Sequence, residues 1–589
     1  MKQYVVGVLF SLATWSSAAA MSISLTPSTP SPAAVGDVVT WYTDTAGANP
    51  GRLRYRFRVK TGTAGFQLVH DYSPLTSLNW AMSNSEGSYE VEASVKNLDT
   101  GETAVASEAY QITSRVGSGQ PVLNQTANPL VALYSAPPCA SGSQMFVTFT
   151  SPEGFGQNTA SKTCTPRASM NFYLGGMRAS TQYTVRHTVV TGTQSQVGPT
   201  LTWTTQPVTI PIEGYTVLRT PLKPVTQGIL LQSMIEEMTV ATDLAGNLVW
   251  YYPGAISSLT RPEAGGLFLG LTESPTEDQS HQILREFDLA GNTTLETNAE
   301  QINQQLAALG ARQISGFHHE ARRLPNGRIM LLADVEQVLI NMQGPGAVDV
   351  LGDMIIVLDR NLQVVWTWDA FDHLNVRRTA TLGETCTAAG GGCPPFYLMP
   401  KANDWLHGNS LELTADGSIL YSARHQDWLI KIAYGNGTGS GNIIWRLGQD
   451  GDFSINSSDP NPWFSHQHDP SASGALDSNI LVFDDGNVRQ TADPSAHSRG
   501  QLLHLDEVNR VASLTLNADL GAYSYALGSA QRLTNGDYHF DVGWINSDNL
   551  GDRSQSVEVD SAGKMIYQVQ IAGPAYRTFR MRDLYTAPQ

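Results

Sequence analysis

Short runs in which apolar and polar residues alternate fill the chain. In residues 21–115 the runs DVVTWYT, RLRYRFRVK and SYEVEASVKN put apolar side chains at every second position and are parted by turn residues. That period belongs to half-buried strands. About seven such strands in about 95 residues predict an immunoglobulin-like β-sandwich. Residues 116–208 continue with QMFVTFTS, STQYTVRHTVV and PTLTWTTQ. The second of these reads as the tyrosine-corner strand of a fibronectin-III-like sandwich. His70 and His187 stand alone in these segments and are expected to be structural.

Beyond residue 209 the pattern repeats. A tight turn leading into a strand recurs as DLAGNLVW from Asp243, DLAGNTTL from Asp288, DRNLQVVW from Asp359, GSGNIIWRL from Gly439, DEVNRVASL from Asp506 and DSAGKMIYQV from Asp560. Ahead of it comes a Gly/Asn turn entering an apolar strand: EAGGLFLGL, LPNGRIMLLAD, TADGSILYSAR, LDSNILVFDDG and LTNGDYHFDVG, with VTQGILLQS as a weaker first copy. About six copies of two hairpins each predict a six-bladed β-propeller over residues 209–589. The fold expected is therefore all-β, with a C-terminal six-bladed propeller preceded by two immunoglobulin/fibronectin-like sandwiches.

Register then places polar residues. Positions equally far from a hairpin turn face each other. In the fourth copy His407 and Asn409 precede the turn at Asp416-Gly417 and Arg424 follows it. Asn409 and Arg424 are expected at one end of the sheet, and His407 and Asn409 on one face if that stretch is extended. In the third copy His319 holds the register of Asn409, and His318 points the other way. The fifth copy brings His466 and His468 of SHQHDP to the same rim, and the sixth brings Ser529. The innermost strands of a propeller converge on one channel, so His319, His407, Asn409, Arg424, His468 and Ser529 are expected to meet in one pocket. Phe317, Trp405, Phe464, Tyr523 and Trp544 lie near this rim. Core packing is the first expectation for each, and a wall for an aromatic substrate the second.

Composition narrows the setting. A net charge of −17 over 589 residues repels phosphate backbones and argues against nucleic-acid binding. Residues 1–20 carry Lys2, an apolar stretch and Ala18-x-Ala20, the layout of a signal peptide, and no later run is long and apolar enough to span a bilayer. Export, to the periplasm or the medium, makes the four cysteines readable as two disulfides. Pairing by proximity gives Cys139–Cys164 and Cys386–Cys393, the second closing the loop CTAAGGGC.

Three chemistries compete for the histidine cluster. A metal could use His466 and His468 with His319 or His407. Against this, HHEARR has Arg323 where HExxH needs its second histidine, and Arg424 disfavours a dication. A serine hydrolase fails because AHSRG departs from GxSxG and lacks the α/β context. The run GNGTGSGN has no helix after it and is a loop, not a phosphate cradle. Anion-transfer chemistry uses every member of the ring: a neutral imidazole as nucleophile, with Arg, Asn and a second His donating to oxygens as charge builds. A polar channel that binds a ligand without chemistry is the remaining alternative.

As an ordered set, HHEARRLPNGRIMLLAD, NDWLHGNSLELTADGSILYSARHQ, IIWRLG, FSHQHDPSASG and ILVFDDGN resemble the bacterial arylsulfate sulfotransferases from about residue 210 to the C-terminus. The resemblance implies an exported propeller that moves a sulfuryl group from a phenolic sulfate donor to an acceptor phenol. It implies a ping-pong route through a sulfated histidine, without a nucleotide donor, metal or other cofactor. It implies His468 as nucleophile, His407 and Asn409 as sulfate holders, Arg424 against the sulfuryl oxygens, His319 as acid/base and Ser529 as a last-copy hydroxyl. The family's short-range disulfide near the site fits Cys386–Cys393. Two N-terminal sandwiches instead of one, and the extra His466, depart from the family. The sandwiches are candidates to bind a surface glycan, to pair with a second copy as a homodimer, or to space the propeller. Alternatives are a propeller that only binds sulfated ligands and a metal-dependent sulfate or phosphate ester hydrolase.

Overall fold

The computed structural model describes residues 20–588 except 48, 211–214, 221–227, 236–237, 255, 275–277, 388–392, 395–397, 475–476 and 547–549. The expected leader lies outside the described residues save for Ala20, as does most of the CTAAGGGC loop. The protein is all-β. Its α-helices are short: 11 residues at Ala299–Leu309, 6 at Asn487–Ala492 and 4 at Ala370–His373. Among the described residues no helix is long and apolar enough to cross a membrane.

At the N-terminal end, a three-stranded sheet of Ser22–Pro27, Val38–Ala46 and Ser77–Ala81 shares one core with a sheet built on Leu53–Thr61, Gln67–Ser73, Gly87–Asn97 and Thr103–Thr113. The alternation read from RLRYRFRVK buries Tyr55, Phe57 and Val59 there, with Trp41 and Val91. The next segment pairs Ala132–Ala136 with Met170–Leu174, and Gln144–Thr150 with Gln182–Thr191. The Tyr183 hydroxyl accepts the Arg178 N–H at 2.8 Å, the bond expected of a tyrosine corner. Both disulfides are formed as expected, Cys139–Cys164 and Cys386–Cys393.

These N-terminal layers are joined to the C-terminal sheets. Gln67–Ser73 lies parallel to Thr293–Asn298 through the pair His70 and Glu296. The junction is reinforced by Arg54 on Glu300 at 2.6 Å and by Thr297 Oγ1 donating to Asp71 at 3.1 Å. His70 serves this seam, 3.3 Å from Glu296. The core around Tyr134, Phe149 and Tyr183 is also continuous with that around Trp250, Phe268 and Phe317.

From residue 229 onward the chain forms six antiparallel four-stranded meanders. Five begin with Thr260–Glu263, Gly316–Arg323, Gly408–Leu413, His468–Ser473 and Gly528–Arg532. The remaining meander takes its first strand from the far end of the chain: Ala575–Met581 pairs with Ile229–Met234. The sheet of the weak first copy VTQGILLQS is thus completed from the far end of the chain. These first strands pack side by side in the order given, from Thr260–Glu263 through Gly528–Arg532 to Ala575–Met581. The recurring Asp turn joins third and fourth strands. In each of five copies the carboxylate of Asp243, Asp288, Asp359, Asp506 or Asp560 accepts backbone N–H groups two to four residues on. This is an Asx turn, which explains why Asp leads the repeat. The alternation does not reveal the helix at Ala299–Leu309, although it has its sequence signals: Asn298 accepts from the Gln301 N–H, and Gly310 ends it at φ 70°.

A buried ionic network crosses the first strands. Arg261 donates to Glu320 at 2.9 Å. Arg577 donates to Glu320 at 2.9 Å, lies 3.1 Å from Asp469, and reaches the Asn409 carbonyl at 2.6 Å. Glu320 is fully buried. Burial pushes its carboxyl upward, and the two guanidinium groups outweigh that and hold it below the usual range. Removing one partner of such a cluster leaves a desolvated charge uncompensated. Glu320→Gln is expected to cost about 3–5 kcal/mol, read from the urea midpoint at constant slope. A change below about 1 kcal/mol, the scale of a surface pair, would show that Glu320 does not organise the centre.

Candidate active site

Bulges build the site. Each of three neighbouring first strands slips register at its start: between His318 and Ala321, between Gly408 and Ser410, and between His468 and Ser471. The bulged residues are His319 and Glu320, Asn409, and Asp469 and Pro470. His319, His407 and Asp469 take left-handed backbone, at φ 57°, 49° and 42°. Such conformations cost about 1–3 kcal/mol each and cluster at functional sites. Strict alternation fails here, so His407 and Asn409 do not share one extended face.

Three imidazoles are anchored in the same way. His468 Nδ1 lies 2.7 Å from Asp485, His407 Nδ1 lies 2.8 Å from Asp404, and His319 Nδ1 lies 2.9 Å from His318 Nδ1. Among the described residues no hydrogen bond engages Nε2 of any of the three. The rings are near one another: His319 and His407 meet edge to face with centroids 4.7 Å apart, and His468 feels the charges of Arg424 and His407. Burial, then Arg424, pushes the His468 imidazolium well below its ordinary range, so the ring is neutral. A neutral ring whose Nδ1–H faces Asp485 carries its lone pair on Nε2. His319 is likewise pushed well down, by burial and then by His407.

Arg424 is buried and shares the site. Its guanidinium donates to His425 Nε2 at 2.6 Å and to the Tyr525 carbonyl at 3.2 Å, and its Nε–H has no partner among the described residues. His425 was not singled out by the repeat register, since it follows Arg424 and leaves the strand in a 3-10 turn. It stacks on His407 with centroids 4.5 Å apart. Its pKa is lowered to about 4, by burial first, so it accepts from Arg424 as a neutral ring. Asp404 is held well below the carboxylate range: burial opposes this, and His407 and His425 outweigh it. Asn409 donates to the Gln467 carbonyl at 2.7 Å, while its own backbone carbonyl is fixed by Arg577.

Two expectations need correction. His466 does not share the direction of His468. At φ 55° it turns to Glu384, which accepts from its Nε2, while its backbone N–H donates to Asp427 at 2.7 Å. Glu384 stands beside the strand carrying Cys386, so the short disulfide segment buttresses the site from outside. Ser529 does not join the histidines. It donates to the Thr578 carbonyl at 3.0 Å, in a separate group with His539 and Ser556. Strand Gly528–Arg532 has no bulge of the kind that turns the other three inward.

Of the aromatic residues, Phe317, Trp405 and Phe464 are core. Tyr523 and Trp544 are half-buried, and Trp544 meets the exposed Tyr525 edge to face at 6.1 Å. Tyr523 has its pKa raised to about 12 by burial and then by Asp485, with Arg424 opposing. It therefore borders the same charges as His468. Three groupings bring ligand-type atoms within 4.8 Å of one another and could hold a cation: Glu384, His425 and His466; Asp404, His407 and His425; His318, Asp334 and Asp353. In the first two, both His425 nitrogens, His407 Nδ1 and His466 Nε2 are already engaged, with Arg424, the Asp404 carbonyl, Asp404 and Glu384.

The solved structure of the selenomethionine-substituted chicken interferon gamma receptor alpha chain is 13% identical, covering 31% of this chain and 98% of that one with a TM-score of 0.13. No curated protein sequence matches the chain. The profile of the arylsulfotransferase (ASST) family matches residues 188–578, which include every residue of the histidine and arginine cluster. By that match the chain belongs to the arylsulfotransferase family, and it is a transferase.

Proposed function

We propose that the protein moves a sulfuryl group from a phenolic sulfate ester to an acceptor phenol in two half-reactions, with His468 carrying the group between them. The observation that carries this reading is the shared anchoring of His319, His407 and His468 through Nδ1, with no hydrogen bond to their Nε2 atoms among the described residues and with Arg424 acting on His319 and His468. In the first half-reaction His468 Nε2 attacks sulfur, the S–O bond to the donor breaks, and the departing phenolate takes the proton of His319 Nε2–H. In the second, the acceptor phenol gives its proton to His319 and attacks sulfur, and the S–N bond breaks. Sulfuryl transfer, like phosphoryl transfer, spreads charge over peripheral oxygens, so positioned donors lower the barrier. Arg424 through Nε–H, Asn409 through its second amide N–H and His407 through Nε2 are the donors. Tyr523, Tyr525 and Trp544 offer the aromatic surface for the phenol rings.

The six meanders, with first strands side by side and Ala575–Met581 completing the first sheet, support a closed six-bladed propeller. The two paired layers over residues 21–115 and 116–208, with the Tyr183 bond, support immunoglobulin- and fibronectin-like sandwiches. Two disulfides support export to the periplasm or medium.

Intact mass after mixing the protein with nitrophenyl sulfate and no acceptor tests the transfer. The expected gain is about 80 Da on His468, discharged by added phenol and absent in His468→Ala. No adduct and no phenol release would leave a binding-only protein, and phenol release without an adduct would mean direct hydrolysis. Arg424→Ala is expected to slow the first half-reaction by about 10²–10³-fold, and Arg424→Lys to recover only part, because the planar fork is lost. Near-normal turnover in Arg424→Ala would remove the arginine from this role. Because burial lowers the His468 pKa, the base form persists as pH falls. The single-turnover rate should stay level from about pH 7.5 to about pH 5.5, across the ordinary imidazole midpoint of about 6.5. A loss centred near pH 6.5 would identify an exposed, ordinary histidine as the nucleophile.

A further inference from the structure

Two carboxylates face each other in the sheet that carries His318 and His319. Asp334 of Ile329–Ile340 and Asp353 of Ala347–Leu358 are direct cross-strand partners. Like charges placed opposite each other weaken a sheet, and taking both out of water adds to that cost. Both are buried. Among the described residues neither has a lysine or arginine within ion-pair reach, and His318 is the one ion-pair partner of each. The strongest charges acting on Asp334 besides His318 are carboxylates too: Asp353, Asp404 and Glu273. Of these, Asp404 is already served by His407 and His425.

His318 is aimed at this pair. It lies on Gly316–Arg323 opposite Leu332, two residues from Asp334 and on the same face of the sheet. Its Nε2 is 3.5 Å from Asp353 and 3.8 Å from Asp334, beyond the usual hydrogen-bond distance. That atom is buried and has no hydrogen-bond partner among the described residues. One donor atom from each of the three residues lies within 4.8 Å of the other two. Two donors on a tetrahedral Zn²⁺, with bonds of about 2.0–2.2 Å, stand about 3.3–3.6 Å apart. The gaps around His318 Nε2 therefore suit donors joined through an ion better than donors joined through a proton. The outer partners are in place as well. The Gly408 N–H at 2.7 Å and the Tyr421 hydroxyl hold Asp353 at Oδ2, leaving Oδ1 toward His318. His318 Nδ1 is 2.9 Å from His319 Nδ1. A ligating imidazole characteristically has such a partner on its second nitrogen. The strands of Asp334 and Asp353 pair without a register shift, which makes the mount rigid.

We propose that His318 Nε2, Asp334 and Asp353 form a binding site for one divalent transition cation, Zn²⁺ by their chemistry. One imidazole with two carboxylates suits Zn²⁺, whereas Mg²⁺ and Ca²⁺ take oxygen ligands. The two charges of the ion balance the two carboxylates. Three protein donors leave the fourth tetrahedral position to a water. Ligation through Nε2 leaves the ring proton on Nδ1, so His318 donates to His319 Nδ1 and steadies that ring. The ion is a prop beneath the histidine cluster, and its binding does not depend on the transfer proposed above. The site is distinct from the groupings around His425, whose ring nitrogens are engaged by Arg424 and the Asp404 carbonyl.

The probe is Zn²⁺ itself, added to the full chain, free of any affinity tag, after dialysis against a chelator. Calorimetric titration should show one saturable site per chain, and zinc should raise the thermal midpoint, because it binds the folded chain. Asp334→Asn keeps the shape of the side chain and removes one anionic ligand. It should weaken zinc binding by about 100-fold or more, since even the partners behind a ligand are worth about 10–100-fold. Glu384→Gln should bind zinc as the parent does. A second measurement needs no variant: crystals of the parent soaked in zinc chloride should give an anomalous peak at the zinc edge bonded to His318 Nε2, Asp334 and Asp353. Absence of saturable binding by the parent, equal affinity in Asp334→Asn, loss of binding in Glu384→Gln, or a peak at Glu384, His425 and His466 instead would each overturn the site.

Discussion

Glu320 is an ionised carboxylate with no contact to water, and the first strands of the C-terminal sheets are arranged so that it is never without a counter-charge. Arg261, Arg577 and Asp469 come from three other sheets, and the Asn409 carbonyl from a fourth. A carboxylate moved from water into a protein interior loses several kcal/mol of solvation. The sheets are therefore constrained to meet at one spacing. The same bulges that expose Glu320, Asn409 and Asp469 to this network turn His319 toward the reacting side and leave His468 at the mouth of its strand. Charge balance below and imidazole placement above are thus one constraint, set by the same few left-handed residues.

That arrangement also explains how the anchors divide the work. Each imidazole is held at Nδ1 by a partner of its own, two of them aspartates and one a histidine. Asp485 fixes the His468 ring through Nδ1, while burial and then Arg424 keep that ring neutral. Asp404 serves His407 and His425 together and is held well below the carboxylate range. His319 has another imidazole, His318, as its partner at 2.9 Å.

Much of this was legible in the sequence, and the reasons differ by element. The Asp turns and Gly hairpins could be read because their chemistry is local: an Asx turn needs its Asp, and the strand beside it needs only alternation. The end of the sheet at which His319, Asn409, Arg424 and His468 gather followed from counting outward from those turns. What counting could not yield was the direction of each side chain, because a bulge adds residues on one strand only. His466 and the pairing of His407 with Asn409 were misjudged for that reason. Ser529 was misjudged for the opposite one, since its strand keeps regular register. The union of Ile229–Met234 with Ala575–Met581 joins distant parts of the chain and leaves no local mark. The helix at Ala299–Leu309 did leave one, in Asn298 and Gly310, but its surroundings read as strands.

The strand Ala575–Met581 carries Arg577 and Tyr576 and is translated after all the other first strands. Until it is made, Glu320 has Arg261 beside it, Asp469 has that arginine only at 4.0 Å, and the Asn409 carbonyl lacks its donor. A nascent chain can form its hairpins one by one, but the centre stays electrostatically unfinished. The ribosome thus reaches Arg577 only after the two carboxylates it serves. A product terminated before Arg577 carries its own defect: excess buried negative charge beneath the site, which disfavours compaction and keeps a half-made enzyme from binding anything anionic.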